Sequence, residues 1–313
     1  MPEIIYDANT KMINGFPKIK KLGAVCGNGE MTPFVWNGRL MRLELVDSTN
    51  GLDKANGQCS AAIRDVETGE FISYFAEDTY FHSAYIEEDT AYVLGVDLTT
   101  WDTIYIYESH DLINWESRVL INWPGWKIFN TALTKSPEGY ALLLEADEPK
   151  EYVGDFPYTF FFATSPDMKE WTLLDPTRAM MFKDRYNGAP WMRYSDGYFY
   201  VITLQELPCL RYTNYLFRTK DFITWEDGLY NPLLMPSEED RLISPNAHAD
   251  LSDELKEQIT GTGFLSNNSD IDMCDWNGKT YINYLAGNQL GFYYMLEAEY
   301  DGTVAEFLKR NFE

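Results

Sequence analysis

A seven-residue pattern, Ser/Thr-x-Asp-x-x-x-Trp, occurs three times in this chain and restricts the folds open to it. The copies are Ser109-His110-Asp111-Leu112-Ile113-Asn114-Trp115, Ser165-Pro166-Asp167-Met168-Lys169-Glu170-Trp171 and Thr219-Lys220-Asp221-Phe222-Ile223-Thr224-Trp225, at intervals of 56 and 54 residues. Each follows an aromatic-rich run, at 104–107, 160–163 and 215–218. Weaker copies flank them, one around Asp65 and Phe71 and one around Asp301 and Phe307. The long last interval holds a polar segment at 250–260 that reads as a short helix. Self-similarity at such a period marks a repeat architecture, in which each unit needs its neighbours to bury its apolar face. In the turn itself the aspartate is expected to bond backbone amides and the tryptophan to pack between units, a structural role rather than a catalytic one.

A second periodicity supports the first. A hairpin turn followed by an alternating strand recurs five times: Asn37-Gly38 before 39–44, Glu88-Asp89 before 91–97, Glu138-Gly139 before 140–145, Asp196-Gly197 before 198–206, and Asn277-Gly278 before 279–285. Hairpin, strand, aspartate-tryptophan turn and strand make about four antiparallel strands per unit, which is one propeller blade. The expectation is an all-β, five-bladed β-propeller forming a single domain over 1–313, with helix below about 10%.

Composition narrows the partners. Against 25 Lys and Arg stand 49 Asp and Glu, a net charge of −24. Such a surface repels phosphate backbones and anionic lipid, so neither nucleic acid nor membrane is an expected partner. The 22 Tyr, 18 Phe and 9 Trp suit pleated surfaces and offer stacking platforms to flat ligand faces. Cys26, Cys59, Cys209 and Cys274 form no C-x-x-C pair and read as buried free thiols of a reducing compartment. The N-terminus shows no secretory pattern and no run of about 18 apolar residues exists, which gives a cytoplasmic expectation unless a signal peptide has been removed. With three histidines and no tight cluster, a zinc site is not expected, and no Walker, dinucleotide or nucleophile-elbow motif occurs. No organic cofactor is expected.

In a propeller, the start of each unit's first strand and the end of its second converge at one channel mouth. Counting back seven residues from each hairpin turn gives Glu30, Phe81 with His82, Asn130 with Thr131, the run Asn187-Gly188-Ala189, and Asp270. The ends of the second strands read Glu44, Asp97, Glu145, Glu206, and Asn288 with Gln289. A ring rich in carboxylates and amides is what glycoside hydrolysis needs: one acid for the leaving oxygen, one base for water or one nucleophile, and amides for hydroxyls. The candidate catalytic residues are Glu30, Asp270, Glu206 and Glu145. His82, Asn130, Asn187, Arg185, Asp272, Asn288 and Gln289 are candidate substrate contacts.

At these residues the chain resembles the five-bladed propeller glycoside hydrolases, the group around families 43, 62, 32, 68 and 117. The resemblance rests on the Ser-x-Asp-x-x-x-Trp turns, the first unit from Glu30-Met31-Thr32-Pro33-Phe34-Val35-Trp36 into Asn37-Gly38, and the last unit with Asn268-Ser269-Asp270-Ile271-Asp272 and Gly287-Asn288-Gln289. It implies a base in the register of Glu30, where family 43 keeps an aspartate. The general acid of that family lies at the equivalent place in the third unit, where this chain has Asn130-Thr131. The second-unit aspartate that tunes the acid is also missing, with Phe81, His82, Ser83 and Ala84 in its place. The acid must then come from elsewhere in the ring. Glu145 and Glu206 are the candidates, and Glu206 is preferred because Leu207-Pro208 ends its strand in a rigid turn.

The leading expectation is an inverting, exo-acting glycosidase with a carbohydrate substrate. A glycan-binding propeller without catalysis is the alternative from another class. A phosphorylase ranks third, since only Arg185 and His82 offer cationic groups for the mouth.

Overall fold

The structure is a computed structural model. It describes residues 18–27, 29–46, 60–247, 251–263, 265–288 and 290–313 in full, and the backbone alone of 6–7, 12–13, 16–17, 47 and 59. The chain is all-β, 55% strand and 9% helix. Three two-residue strands, Tyr6–Asp7, Met12–Ile13 and Phe16–Pro17, form a small sheet of their own.

Three four-stranded antiparallel sheets and one eight-stranded sheet follow, the last dividing into two four-stranded antiparallel units joined by a parallel bridge between Tyr212 and Asn267, so that the described residues form five units. The first is Met31–Trp36, Arg39–Asp47, Cys59–Asp65 and Phe71–Phe75. The second is Thr79–Glu87, Thr90–Asp97, Thr103–Ser109 and Glu116–Asn122. The third is Lys127–Ser136, Gly139–Glu148, Thr159–Ser165 and Thr172–Leu173. The fourth is Gly188–Ser195, Tyr198–Leu207, Arg211–Thr219 and Glu226–Asp227. The fifth takes three strands from the end of the chain, Asn267–Trp276, Lys279–Gly287 and Tyr293–Tyr300, and its outermost strand, Lys20–Cys26, from the beginning. The weak repeat at Asp301 therefore leads into a capped helix, Val304–Arg310, and not into a fourth strand. The polar segment of the last interval is the helix Asp253–Gly261.

The first strands of the units touch one another in cyclic order, the fifth returning to the first. The core lies between units rather than within them. Phe34, Leu43 and Ile63 of the first unit pack with Val93, Tyr107 and Leu112 of the second. Ile104 and Ile106 pack with Leu142 and Leu144 of the third, whose Phe160 and Phe162 meet Val201 and Phe217 of the fourth. Ile202 and Leu216 join Ile282, Tyr284 and Leu296 of the fifth, and Tyr281 closes on Leu40 of the first. No unit could bury these faces alone, which is the physical content of the repeat.

Local chemistry explains the elements. Asn37-Gly38, Asp196-Gly197 and Asn277-Gly278 hold both turn residues at positive φ, with values of 49° and 75°, 52° and 80°, and 50° and 76°. That turn matches the right-handed twist of the strands it joins and needs Asn, Asp or Gly. In the Asp-Trp turns, Asp111 accepts from the amides of Ile113 and Asn114 at 2.8 Å each, and Asp221 does the same for Ile223 and Thr224 at 2.9 and 2.7 Å. The residue after each aspartate, Leu112, Met168 or Phe222, is left-handed and buried. The tryptophans reach the preceding unit: Trp115 stacks on Phe75 at 3.9 Å between ring centroids, and Trp225 donates to the Met180 carbonyl at 3.2 Å.

Cys26 and Cys274 are buried as expected, whereas Cys209 is exposed, in the turn between the second and third strands of the fourth unit. The side chain of Cys59 lies outside the described residues.

Candidate active site at one mouth of the ring

The register of the first strands positions the site. In the second, third, fourth and fifth units the pairing with the second strand slips near its start: at 80–83, 128–131, 188–191 and 269–272. A β-bulge of this kind bends the strand and re-aims one side chain. The bulged residue is left-handed in three of these units, with φ of 54° at Phe81, 48° at Ala189 and 49° at Asp270; Glu30, in the same register of the first unit, has φ of 55°. Left-handed backbone at non-glycine residues is strained, and it persists where surrounding structure enforces it. All four residues, with Asn130 in the same register of the third unit, line one cavity of about 540 Å³.

The opposing positions come from the second strands. The third hairpin turns at Pro137-Glu138, one residue before the Glu138-Gly139 expected from the sequence; the residue seven after the second turn residue is then Leu45, Val96, Glu145, Leu204 or Leu285, and four of these five, all but Val96, line the cavity. Only one of them is acidic. Glu145 is 3% exposed, and its Oε2 accepts both from Asn130 Nδ2 at 3.0 Å and from the Ala189 amide at 2.9 Å. Burial pushes its carboxyl up to about 8; the two hydrogen bonds oppose that rise and the charges of Asp270 and Glu30 add to it. A carboxyl protonated at neutral pH is a proton donor. Asp270 accepts a short hydrogen bond from Ser269 Oγ. Glu30, Glu145 and Asp270 thus converge from three units on one cavity.

Aromatic rings line the same cavity. Phe81, Trp101, Phe129, Tyr158 and Tyr186 run as an unbroken series, with centroids 5.9 Å apart for Phe81–Trp101, 5.3 Å for Trp101–Phe129, 4.9 Å for Phe129–Tyr158 and 5.5 Å for Tyr158–Tyr186. Burial, with the Glu145 charge second, pushes the Tyr158 hydroxyl up to about 12 and raises that of Tyr186 further, so both remain hydrogen-bond donors. Phe292 and Tyr293 supply rings from the fifth unit. Rings and carboxyls in one cavity suit a sugar, which has apolar ring faces and polar hydroxyl edges.

Below the mouth the channel narrows to a waist of about 40 Å³, lined by Glu30, His82, Ser83, Asn130, Thr131, Asp270 and Asp272 among others, and then widens to about 410 Å³ at the far end. His82 bonds Thr79 at 2.8 Å, and burial lowers it to about 3, so it is neutral at working pH. Gly95 makes room for that ring, since a Cβ there would stand 2.8 Å from His82 Cδ2. Asp272 accepts from the Met273 amide at 2.7 Å, and burial pushes its carboxyl up to about 7.

Several residues singled out by the sequence lie elsewhere. Glu206 is exposed and outside the cavity, because its strand presents Leu204 to the mouth and Glu206 lies two residues further along it. Glu44 is fully buried between Arg42 and Arg64, at 2.7 and 2.8 Å, as an internal ion cluster. Asp97 caps its own turn through the Thr99 and Thr100 amides at 2.7 and 2.9 Å. Asn187 is fully buried and spends its amide on the carbonyls of Phe182 and Arg185. Arg185 points to solvent, paired with Asp184 at 2.9 Å. Asn288 accepts from the Leu290 amide at 2.8 Å and so shapes the loop whose Gly291 and Phe292 reach the cavity. Asp272 and His82 line the waist and not the mouth cavity. Gln289 lies outside the described residues. The repeat pattern did not point to Trp101, Tyr158 or Tyr186, which sit in connections without a repeat register. Glu145 stands at the same offset from its hairpin turn as the other cavity-lining second-strand residues only once that turn is placed at Pro137-Glu138.

No family model matches the chain, and no curated protein matches it. Solved structures do. The chain is similar to a protein described as a glycoside hydrolase, with TM-score 0.58 and 10% identity over 90% of each chain. It is similar to a Bacteroides ovatus xyloglucan PUL GH43B, with TM-score 0.57 and 9% identity over 90% of this chain and 54% of that one. It is also similar to a Bombyx mori GH32 beta-fructofuranosidase, with TM-score 0.53 and 10% identity over 90% of this chain and 61% of that one. With about a tenth of the residues in common, the chain shares the fold of glycoside hydrolase structures of the family 43 and family 32 kind.

Proposed function

We propose that the five units are the blades of a five-bladed β-propeller forming one domain, and that its mouth hydrolyses a glycoside. The observation that carries this reading is Glu145, a buried carboxyl pushed up to about 8, in one cavity with Glu30 and Asp270. Glu145 is the general acid: protonated at neutral pH, it gives its proton to the leaving glycosidic oxygen as the bond to the anomeric carbon breaks. Glu30 is the general base, in the register where the resembling enzymes keep theirs, and takes a proton from the attacking water. Asp270 assists, since its charge helps to keep Glu145 protonated. Attack by water opposite the leaving group inverts the anomeric centre. The narrow waist under the mouth supports exo action, with a terminal sugar entering end-on against the aromatic wall. No organic cofactor takes part.

Glycan binding without turnover is favoured by one observation, that Asn130 holds the position where family 43 keeps its acid. A screen of aryl arabinofuranosides, xylosides and galactosides separates the two readings. Hydrolysis is expected, and Glu30→Gln should lower turnover at least about a hundredfold with affinity nearly intact. Retained binding without hydrolysis of any glycoside would establish the binding module instead.

A further inference from the structure

The two donors on Glu145 are arranged in a way that the acid role alone does not require. Both meet the same oxygen: Asn130 Nδ2 at 3.0 Å and the Ala189 amide at 2.9 Å converge on Oε2. They come from different units, and each rests on an irregularity of its first strand. Asn130 lies where the third unit's register slips between Ile128 and Thr131. Ala189 lies where the fourth slips between Gly188 and Trp191, in left-handed backbone at φ 48°. Regular pairing at Ala189 would give its amide to the neighbouring strand, and regular pairing around Asn130 would aim its side chain differently. An oxygen that accepts two N–H groups has no lone pair well placed for a proton, so a proton on this carboxyl resides on Oε1. Resting on the acid assignment above, we propose that Asn130 and the Ala189 amide are a positioning clamp. They hold Glu145 across the boundary between the third and fourth units and fix its proton on the one oxygen left to the ligand. Asn130 then acts through Glu145 and is not a sugar contact.

The clamp predicts behaviour that packing alone would not produce. Both donors favour the ionised carboxylate, while burial and the charges of Glu30 and Asp270 disfavour it. Tyr158 and Tyr186 are the other titratable groups coupled to it, and both remain protonated over the working range. Removing a donor should therefore move the Glu145 titration upward. The isosteric variant Asn130→Asp keeps the shape, loses the donor and adds a carboxylate; Asn130→Ala loses the donor alone.

The test is a carbon-13 titration of the side-chain carboxyls of the full chain, with the Glu145 signal assigned by its loss in Glu145→Gln. In Asn130→Asp and Asn130→Ala the midpoint should rise by about one pH unit or more, as expected for loss of a charge-assisted hydrogen bond. An unmoved midpoint in a folded Asn130→Asp would overturn the clamp, whether or not the parent hydrolyses anything. Kinetics give the second arm on the substrate found in the screen. Both variants should lose about ten- to a hundredfold in kcat/KM on glycosides with poor leaving groups, and far less on dinitrophenyl glycosides, whose departure needs no proton. Equal losses on both would also overturn the clamp. Absence of turnover by the parent, with the titration moving as expected, would instead remove the hydrolase reading and leave the clamp standing.

Discussion

At the scale of single residues, the mouth works against the stability of the fold. Glu145 has its folded pKa raised above the unfolded value, so the folded state holds its proton across a range where the unfolded chain has released it. The stability this gives is present below the unfolded pKa and is lost as pH rises from about 4.5 to about 8. Glu145→Gln removes the penalty. It should raise Tm by roughly 2–5 °C at pH 8 and have little effect near pH 4.5, read by calorimetry at both pH values. An equal change at both would show that the carboxyl is not buried in its neutral form. Gly95 answers to shape and not charge: Gly95→Ala would press a methyl on His82 and Thr79, each 2.8 Å from it. Overpacking there should cost about 1–3 kcal/mol, measured by denaturant unfolding. These residue roles were only partly legible in the sequence. Glu30 and Asp270 could be placed by counting back from plain Asn-Gly turns. Glu206 misled because a carboxylate near a strand end resembles any other until its distance from the hairpin turn is counted: it shares the face of Leu204 but lies two residues further out. The pleat has period two, so a miscount of one or two residues changes the face or the depth.

At the scale of elements, the Asp-Trp turns are fasteners between units. The aspartate fixes the turn by accepting backbone amides, the next residue turns left-handed and inserts its side chain, and the tryptophan reaches back to the preceding unit. Trp115→Ala removes the stack on Phe75 and the bond to Ser73 Oγ at 3.3 Å. It should destabilise the protein by about 2–4 kcal/mol while leaving the mouth chemistry unchanged. Thermal unfolding followed beside ligand binding would check both parts. This element could be read directly, because its chemistry is local: a turn aspartate and an aromatic at fixed spacing need no knowledge of the rest of the chain. The bulges that aim Phe81, Ala189 and Asp270 could not, since a bulge is a property of two paired strands. They share no marker either: Gly188 and Pro190 flank Ala189, but neither residue type flanks Phe81 or Asp270.

At the scale of the whole molecule, the ring closes by joining the two ends of the described chain. Lys20–Cys26 pairs along Tyr293–Tyr300, and its Lys21 enters a buried site where Asp240 stands at 2.7 Å and Asn268 at 3.0 Å. Lys21→Ala would leave Asp240 buried without its cation, a change that should destabilise by about 3–5 kcal/mol and is measurable in urea. The closure escaped the sequence pattern because its strand lies outside the repeat and its partner is more than 270 residues away. The five hairpins announced the ring, but not how it is fastened. The fold places Glu145 in one cavity with Glu30 and Asp270, where in the proposed reaction this carboxyl donates the proton of a glycoside hydrolysis. The most direct measurement is kcat/KM of Glu145→Gln relative to the parent, on one sugar carried by a poor and by a dinitrophenyl leaving group. The prediction is a loss of at least about a hundredfold on the poor leaving group and near-parent rates on the activated one. Parent rates on both would contradict it.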